Sequence, residues 1–166
     1  MHQAYVKLNV DGSRKSVKGC LSAGGILRAA AGVWIAGFTV NIGVGSVLNA
    51  ELWGLFHGLT LAWRLGYRKV HVELDSAVAV TLIMDFNSFM HPLAHLITIC
   101  RELLRRDCIC LVSHVYREKN RVADGMADLS HKFDIGLHVF YEPPPLVDRL
   151  IFEDAVGFPH NRFVNS

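Results

Sequence analysis

Apolar and polar residues alternate along three short segments in the first third of the chain, a pattern typical of strands with one buried face. We expect strands at 6–11, from 24 to about 28 and at 33–42, with a polar and basic turn at 12–19. Because the connections between these segments are short, the three strands are expected to form an antiparallel meander.

A helical period follows these strands. Apolar residues recur every three or four positions from Leu52 to Trp63, and Asn49 is a residue type that often caps a helix N-terminus. Ser76 is a second candidate cap, for a helix at 77–84. Further predicted elements are a strand at 70–74, a helix from 91 to about 104, a strand at 109–115 and a helix from 121 to about 132.

The order of these elements predicts an α/β fold. Three antiparallel strands, followed by strands that alternate with helices, make a five-stranded mixed sheet with parallel additions and with helices on its faces. The 166 residues fit one domain, which we expect at 1–135. Three prolines at 143–145 indicate an extended linker, so we expect 136–166 to be a loosely packed or disordered C-terminal extension.

Composition narrows the class of protein. Hydrophobic residues make up 51% of the chain and charged residues 19%, which is enough for a substantial core. No apolar run reaches the roughly 18 residues of a membrane span, and no signal-peptide pattern opens the chain. We therefore expect an intracellular protein without membrane contact, in the nucleus or the cytoplasm. The four cysteines lack zinc-ligand spacing and are expected to be reduced core thiols.

Charge is unevenly distributed along the chain. The net charge is only +2, but residues 141–166 hold four acidic and two basic residues. The rest of the chain therefore carries 15 basic against 11 acidic residues. A moderately basic surface of this kind favours binding to a phosphate backbone.

Four acidic residues at the ends of predicted elements are the main candidates for chemistry. Asp11 ends the first strand and Asp75 follows the fourth. Glu51 and Asp124 lie in the first turns of helices, with Asp128 one turn further on as an alternative to Asp124. Clustered carboxylates cannot all ionise without a cation. Oxygen ligands favour Mg²⁺ or Mn²⁺, and two such ions can act together in phosphoryl displacement.

These residues stand in motifs that together resemble the ribonuclease H family. The resemblance is nearest to the reverse-transcriptase-like ribonuclease H domains that are abundant in plant genomes. It covers about residues 5–135 and is carried by KLNVDGS at 7–13, AGGILR at 23–28, NAEL at 49–52, ELDS at 73–76 and HVYREKNRVAD at 114–124.

The resemblance implies a ribonuclease H-like fold and cleavage of the RNA strand in an RNA–DNA hybrid. It implies two Mg²⁺ ions, replaceable by Mn²⁺, and assigns Asp11, Glu51, Asp75 and Asp124 as their ligands and as catalytic residues. The position of His114 matches a mobile histidine that assists proton transfer or product departure.

Substrate contacts follow from the same resemblance. Gly12, Ser13, Asn49 and Asn120 match positions near the RNA strand, where the 2′-hydroxyl distinguishes RNA from DNA. Basic residues that can hold phosphates are Arg14, Lys15, Lys18, Arg117, Lys119 and Arg121. The resemblance also implies an origin in a retrotransposon and a place in a larger reverse-transcriptase-containing protein. We expect the chain itself to be a monomer.

Two departures from the family pattern keep other functions open. The segment 86–91 lacks the basic, Trp-rich protrusion of cellular ribonucleases H, and Gly125 lies inside the last helix, where it costs up to about 1 kcal/mol relative to alanine. One alternative is a catalytically weak or inactive nucleic-acid-binding module. Another is an exonuclease or integrase-like nuclease of the same architecture, against which the closing helix and the position of His114 argue.

Overall fold

The structure is a computed structural model that describes residues 3–15, 19–85 and 88–156. Its strands are β1 (Val6–Lys15), β2 (Cys20–Arg28), β3 (Trp34–Val44), β4 (Lys69–Leu74), β5 (Ile109–His114) and β6 (Gly136–Phe140). Its helices are α1 (Val47–Arg64), α2 (Ala77–Met84), α3 (Ala94–Arg105), α4 (Arg121–Leu129) and α5 (Pro145–Ala155). Short 3₁₀ turns lie at Ser88–Met90, Arg117–Lys119 and Ser130–Lys132.

The strands form one mixed sheet in the order β5-β4-β1-β2-β3-β6. β1, β2 and β3 pair antiparallel, whereas β4 joins β1 in parallel and β5 joins β4 in parallel. The predicted α/β class is confirmed. The sheet has six strands instead of five, because β6 adds an antiparallel edge next to β3.

The main core lies between the sheet and the layer formed by α1 and α3. Leu8 and Val10 on β1 are fully buried there and pack beneath α1, while Asn9, between them in sequence, faces α4 on the opposite side of the sheet. This alternation is the period-2 pattern of a strand covered on both faces. β1 is therefore a central strand that contacts both helical layers.

A second, smaller core explains why the chain beyond residue 135 packs against the domain. Its buried members are Met126 and Leu129 from α4 and Val147 from α5, and Trp34, Phe133, Phe140 and Ile151 pack around them. Residues 136–155 are therefore packed against the domain, in contrast to the loosely packed extension that the sequence predicts. Pro145 opens a helix, where its missing N–H costs nothing, instead of extending a linker. Residues 157–166 lie outside the described part of the chain.

Several element boundaries also differ from the sequence-based ones. Ser46, not Asn49, caps α1, and its Oγ accepts a hydrogen bond from Asn49 N at 3.1 Å. The helix starts earlier than predicted, at Val47, and Leu48 in its first turn packs against the core. The predicted cap at Ser76 is confirmed, since Ser76 Oγ accepts from Ala79 N at 3.1 Å. β1 continues to residue 15, into the segment predicted as a turn, and β2 starts at residue 20 instead of 24.

All four cysteines are free thiols, and Cys108 Sγ lies 3.3 Å from Cys110 Sγ. Among the described residues, the structure contains no helix with the length and apolar character needed to cross a membrane.

Candidate active site

Three carboxylates from three separate elements converge at one edge of the sheet. The parallel register of β1 and β4 pairs Val10 with Leu74, so Asp11 on β1 and Asp75, which directly follows β4, come next at the same level. Glu51 reaches them from the first turns of α1. One oxygen of each carboxylate lies within 4.8 Å of an oxygen of the other two. These separations allow the three side chains to share one cation.

The backbone of β1 holds two of these carboxylates in place. The amide of Gly12 donates to Asp11 Oδ1 at 2.9 Å and to Glu51 Oε1 at 3.1 Å. The second oxygen, Glu51 Oε2, is buried and has no hydrogen-bond partner. A buried carboxylate oxygen without a donor is costly, and a cation that accepts its lone pair removes this cost.

The electrostatics of the cluster also favour a cation. Burial raises the pKa of Asp11 far above its usual range, and the negative charges of Glu51 and Asp75 raise it further. Burial likewise raises the pKa of Glu51, although its contacts with Asp11 and Gly12 and the charge of Arg117 act in the opposite direction. Asp11 and Glu51 therefore ionise together only when positive charge is supplied. An all-oxygen donor set matches hard cations such as Mg²⁺ or Mn²⁺.

Asp124 joins this cluster from α4. A hydrogen bond between its side chain and that of Asp11 adds to the raised pKa of Asp11. Asp124 is outside the tight group of three. Asp128, one turn later, is exposed and accepts a hydrogen bond from Ser13 Oγ at 2.9 Å. The geometry therefore favours Asp124 over Asp128 as the fourth carboxylate.

His114 lies at the end of β5, beside the carboxylates. The parallel pairing of β4 and β5 places it opposite Leu74, and its Nε2 is 3.1 Å from the backbone oxygen of Asp75. The ring is exposed and rests edge-on against Tyr116, with 5.7 Å between ring centroids. The structure thus brings the imidazole to the rim of the cluster, where it can contact a substrate.

The expected substrate-contacting residues have different environments. Asn120 is 1% exposed, and its side-chain amide forms hydrogen bonds with the Asn9 side chain and the Val10 carbonyl. It is therefore buried away from substrate, in contrast to the expectation that it contacts substrate. The side-chain oxygen of Asn49 is buried without a hydrogen-bond partner. The amide of Gly12 already serves the carboxylates and the hydroxyl of Ser13 serves Asp128, so their substrate contacts stay predictions.

A cavity of about 230 Å³ opens above the carboxylates and includes one basic side chain. Arg117, from the 3₁₀ turn after β5, lines it together with Val47 and the acidic cluster. Arg121, another expected phosphate-holding residue, is instead paired with Glu153 at 2.7 Å. Lys18 lies outside the described residues. Arg117 is thus the expected basic residue that the described structure places at the cavity.

The architecture matches that of ribonucleases H. The N-terminal RNase H domain of a Mycobacterium tuberculosis protein superposes with a TM-score of 0.71 at 25% identity, over 78% of this chain and 95% of that domain. The LC11 ribonuclease H1, solved in complex with an RNA/DNA hybrid, superposes with a TM-score of 0.68 at 20% identity, over 75% and 94% of the two chains. The protein therefore has a ribonuclease H-like fold.

Sequence comparison assigns the family within this fold. A sequence model described as reverse transcriptase-like matches residues 9–130, so the chain belongs to the reverse transcriptase-like family of ribonuclease H domains. An Arabidopsis thaliana protein, provisionally named as a ribonuclease H protein, is 40% identical over 160 residues. That match covers 96% of this chain and 26% of the relative, so the chain spans about a quarter of that protein's length.

Proposed function

We propose that this protein is a metal-dependent endonuclease that hydrolyses the RNA strand of RNA–DNA hybrids. The observation that carries the proposal is the convergence of Asp11, Glu51 and Asp75 within 4.8 Å of one another. Family membership supports it, as does the fold shared with an enzyme that was solved with an RNA/DNA hybrid. Because the chain spans about a quarter of its Arabidopsis relative, we further infer that it works within a larger reverse-transcriptase-like protein.

Asp11, Glu51, Asp75 and Asp124 would hold two Mg²⁺ ions, and Mn²⁺ suits the same oxygen donors. The unpartnered Oε2 of Glu51 and the raised pKa of Asp11 are the features that fit such ions. When bound, divalent ions supply positive charge to the attacking and leaving oxygens of an in-line displacement at phosphorus.

The remaining residues of the site act on the substrate directly. Arg117 lines the cavity and is placed to contact a phosphate next to the scissile one. His114, at the rim, carries a proton to or from the departing group, because imidazole exchanges protons near neutral pH. Asn49 and the β1 residues Gly12 and Ser13 are proposed to read the 2′-hydroxyl, which restricts cleavage to RNA.

A cleavage assay with matched asparagine variants tests this function. Labelled RNA–DNA hybrid, double-stranded RNA and double-stranded DNA are incubated with Mg²⁺, with Mn²⁺ or with chelator, and only the hybrid with metal should be cut. Asp11→Asn should slow cleavage on the order of 10²-fold or more, the scale of losing a major electrostatic contact to a transition state. Asp128→Asn is the control, because Asp128 is exposed and lies outside the tight group of carboxylates.

The outcomes separate the competing functions. A hybrid with closed ends should still be cut if the enzyme is an endonuclease, and would resist an exonuclease. Binding of hybrid that weakens with salt, without cleavage by the wild-type protein, would replace the proposal by an inactive binding module. Cleavage by Asp11→Asn at the wild-type rate would refute the assigned site.

A further inference from the structure

The C-terminal helix α5 packs directly on the helix that carries Asp124. The match to the reverse transcriptase-like family ends at residue 130, so α5 lies beyond it. A Cβ added at Gly125, the neighbour of Asp124, would lie 2.7 Å from Leu150 Cδ1 and 3.3 Å from Val147 Cγ1. The glycine inside α4 therefore permits the close approach of α5, which explains this departure from a good helix sequence.

Ion pairs tie α5 to the first turn of α4. Glu153 is buried, and its carboxylate is ion-paired with Arg121 at 2.7 Å and accepts a hydrogen bond from Arg149 Nε at 3.0 Å. Arg121 is the first residue of α4, three positions before Asp124. α5 thus contacts α4 both beside the acidic residue and at the N-terminal end of the helix.

A directed chain of hydrogen bonds extends from Arg28 to the backbone next to Asp11. Asn9 Oδ1 accepts from Arg28 Nη2 at 3.1 Å, which leaves Asn9 Nδ2 to donate to Asn120 Oδ1 at 3.1 Å. Asn120 Nδ2 then donates to Val10 O at 2.9 Å. Because a guanidinium only donates, Arg28 determines the orientation of the first amide and, through it, of the second.

Both ends of this series of hydrogen bonds are held by further contacts. Asp154 on α5 accepts from Arg28 Nη1 at 3.2 Å, and both side chains are largely buried, with 14% and 20% of their surface exposed. At the other end, the carbonyl of Asn120 accepts from the amide of Asp124 at 3.0 Å. The connection therefore runs from α5 to the first turn of α4.

We propose that Arg28 and Asp154 are positioning residues for the acidic site, which they reach through Asn9 and Asn120. They hold the first turn of α4 against β1, so that Asp124 stays next to Asp11. This inference rests on the proposed function, because the two carboxylates are the metal ligands proposed above. It makes α5 a working part of the domain, since Asp154 supplies the anchor.

Metal binding by variants of the full chain tests the proposal. Mn²⁺ is titrated into each protein by calorimetry. Arg28→Met removes the donor and should weaken Mn²⁺ binding about 10- to 100-fold, the usual loss when a residue that orients a metal ligand is removed. Asp154→Asn should also weaken it, because Arg28 loses its anchor. Mn²⁺ affinity within twofold of wild type in both folded variants would overturn the proposal.

Two controls separate positioning from a general loss of stability. Arg149→Met removes an arginine of α5 that is 87% exposed and outside the chain of hydrogen bonds, and it should leave Mn²⁺ affinity unchanged. Ile97→Val weakens the main core on the other side of the sheet and should lower the melting temperature without changing Mn²⁺ affinity. A loss of Mn²⁺ affinity in either control would show that a general loss of protein stability, and not a loss of positioning, weakens metal binding.

Hydrogen exchange in metal-free protein gives a second, independent result. The amide of Asp124 should exchange faster in Arg28→Met than in wild type, whereas amides of α3 should not change. An unchanged Asp124 amide would overturn the proposal even if wild type binds no Mn²⁺. Failure of wild type to cut hybrids, with the Arg28→Met effects intact, would instead refute only the proposed function.

Discussion

At the scale of single residues, the acidic cluster is held in an unfavourable state that suits metal binding. Asp11 is 4% exposed and lies among other carboxylates, and Glu51 Oε2 has no hydrogen-bond donor. Such groups lower the stability of the metal-free fold, and ligand-binding sites commonly carry this cost. The same residues that bind a cation should therefore destabilise the protein without one.

Asp11→Asn should make the metal-free protein more stable at pH 7. The pKa of Asp11 is raised in the folded state, so its contribution is most favourable below its unfolded pKa and is lost as the pH rises toward the folded pKa. Asparagine cannot ionise and avoids this loss, so the melting temperature should rise by about 2–4 °C. Thermal unfolding in chelator measures it, and the gain should shrink toward pH 4. A melting temperature lowered at pH 7 would contradict the cluster's electrostatics.

At the scale of elements, the approach of α4 to β2 determines where Asp124 lies. Gly24 on β2 faces α4 so closely that an added Cβ would overlap the backbone of Met126 and would lie 2.8 Å from Ala127 Cα. Ser22 Oγ on the same strand donates to the Ala127 carbonyl at 2.8 Å, and this hydrogen bond fixes the distance between α4 and the sheet. Because backbone atoms cannot rotate aside, a larger residue at 24 must move the helix.

Gly24→Ala should therefore cost about 1–3 kcal/mol or more of unfolding free energy and slow hybrid cleavage. Gly125→Ala is the comparison, since its added methyl meets only the flexible end of Leu150 and the branched side chain of Val147. That variant should be milder, as alanine also regains up to about 1 kcal/mol of helix propensity. Denaturant unfolding of both proteins measures the difference, and equal stabilities would contradict the close packing of β2 and α4.

The elements that carry the acidic residues were predictable, whereas their supports were not. The alternating strand that carries Asp11 and the strand that ends before Asp75 are local patterns that survive in the fold, although β1 continues past Asp11 to Lys15. β6 is only five residues long and pairs with β3, which is distant in sequence, so the local sequence pattern does not predict it. The buried role of Asn120 depends on Asn9, 111 positions away, and such a distant partner leaves no periodic trace.

One signal for α5 was present but was outweighed by the prolines. Val147, Leu150 and Ile151 follow one another at helical spacing, and Pro145 is a common first residue of a helix. Because three consecutive prolines usually indicate an extended linker, a helix was not predicted from this pattern.

At the scale of the whole molecule, the two cores differ in how much of the chain they need. The buried residues of the core beneath α1 and α3 all lie at or before Cys100, and Val139 of β6 only packs against them, whereas the core around Met126 needs β6 and α5. A fragment that ends at residue 135 keeps Trp34 and Phe133 but lacks Phe140, Val147 and Ile151, which leaves Met126 and Leu129 partly uncovered. Uncovered apolar surface of this kind promotes association.

A fragment of residues 1–135 should therefore unfold at a lower temperature than one of residues 1–156, and should elute as larger species in size-exclusion chromatography. The longer fragment should match the full chain, because it keeps both cores. Thermal unfolding and elution volume at matched concentrations are the measurements. A short fragment that is monomeric and equally stable would show that β6 and α5 contribute little to folding.

The link between Asp154 and the first turn of α4 has a consequence for synthesis on the ribosome. Translation adds residues from the N-terminus, so Asp11, Glu51 and Asp75 emerge well before the helix that holds their partner in place. A growing polypeptide would thus carry these three carboxylates without an anchored Asp124 until residue 154 had left the exit tunnel. The complete acidic site would therefore form only after α5 had been synthesised and had folded against β2.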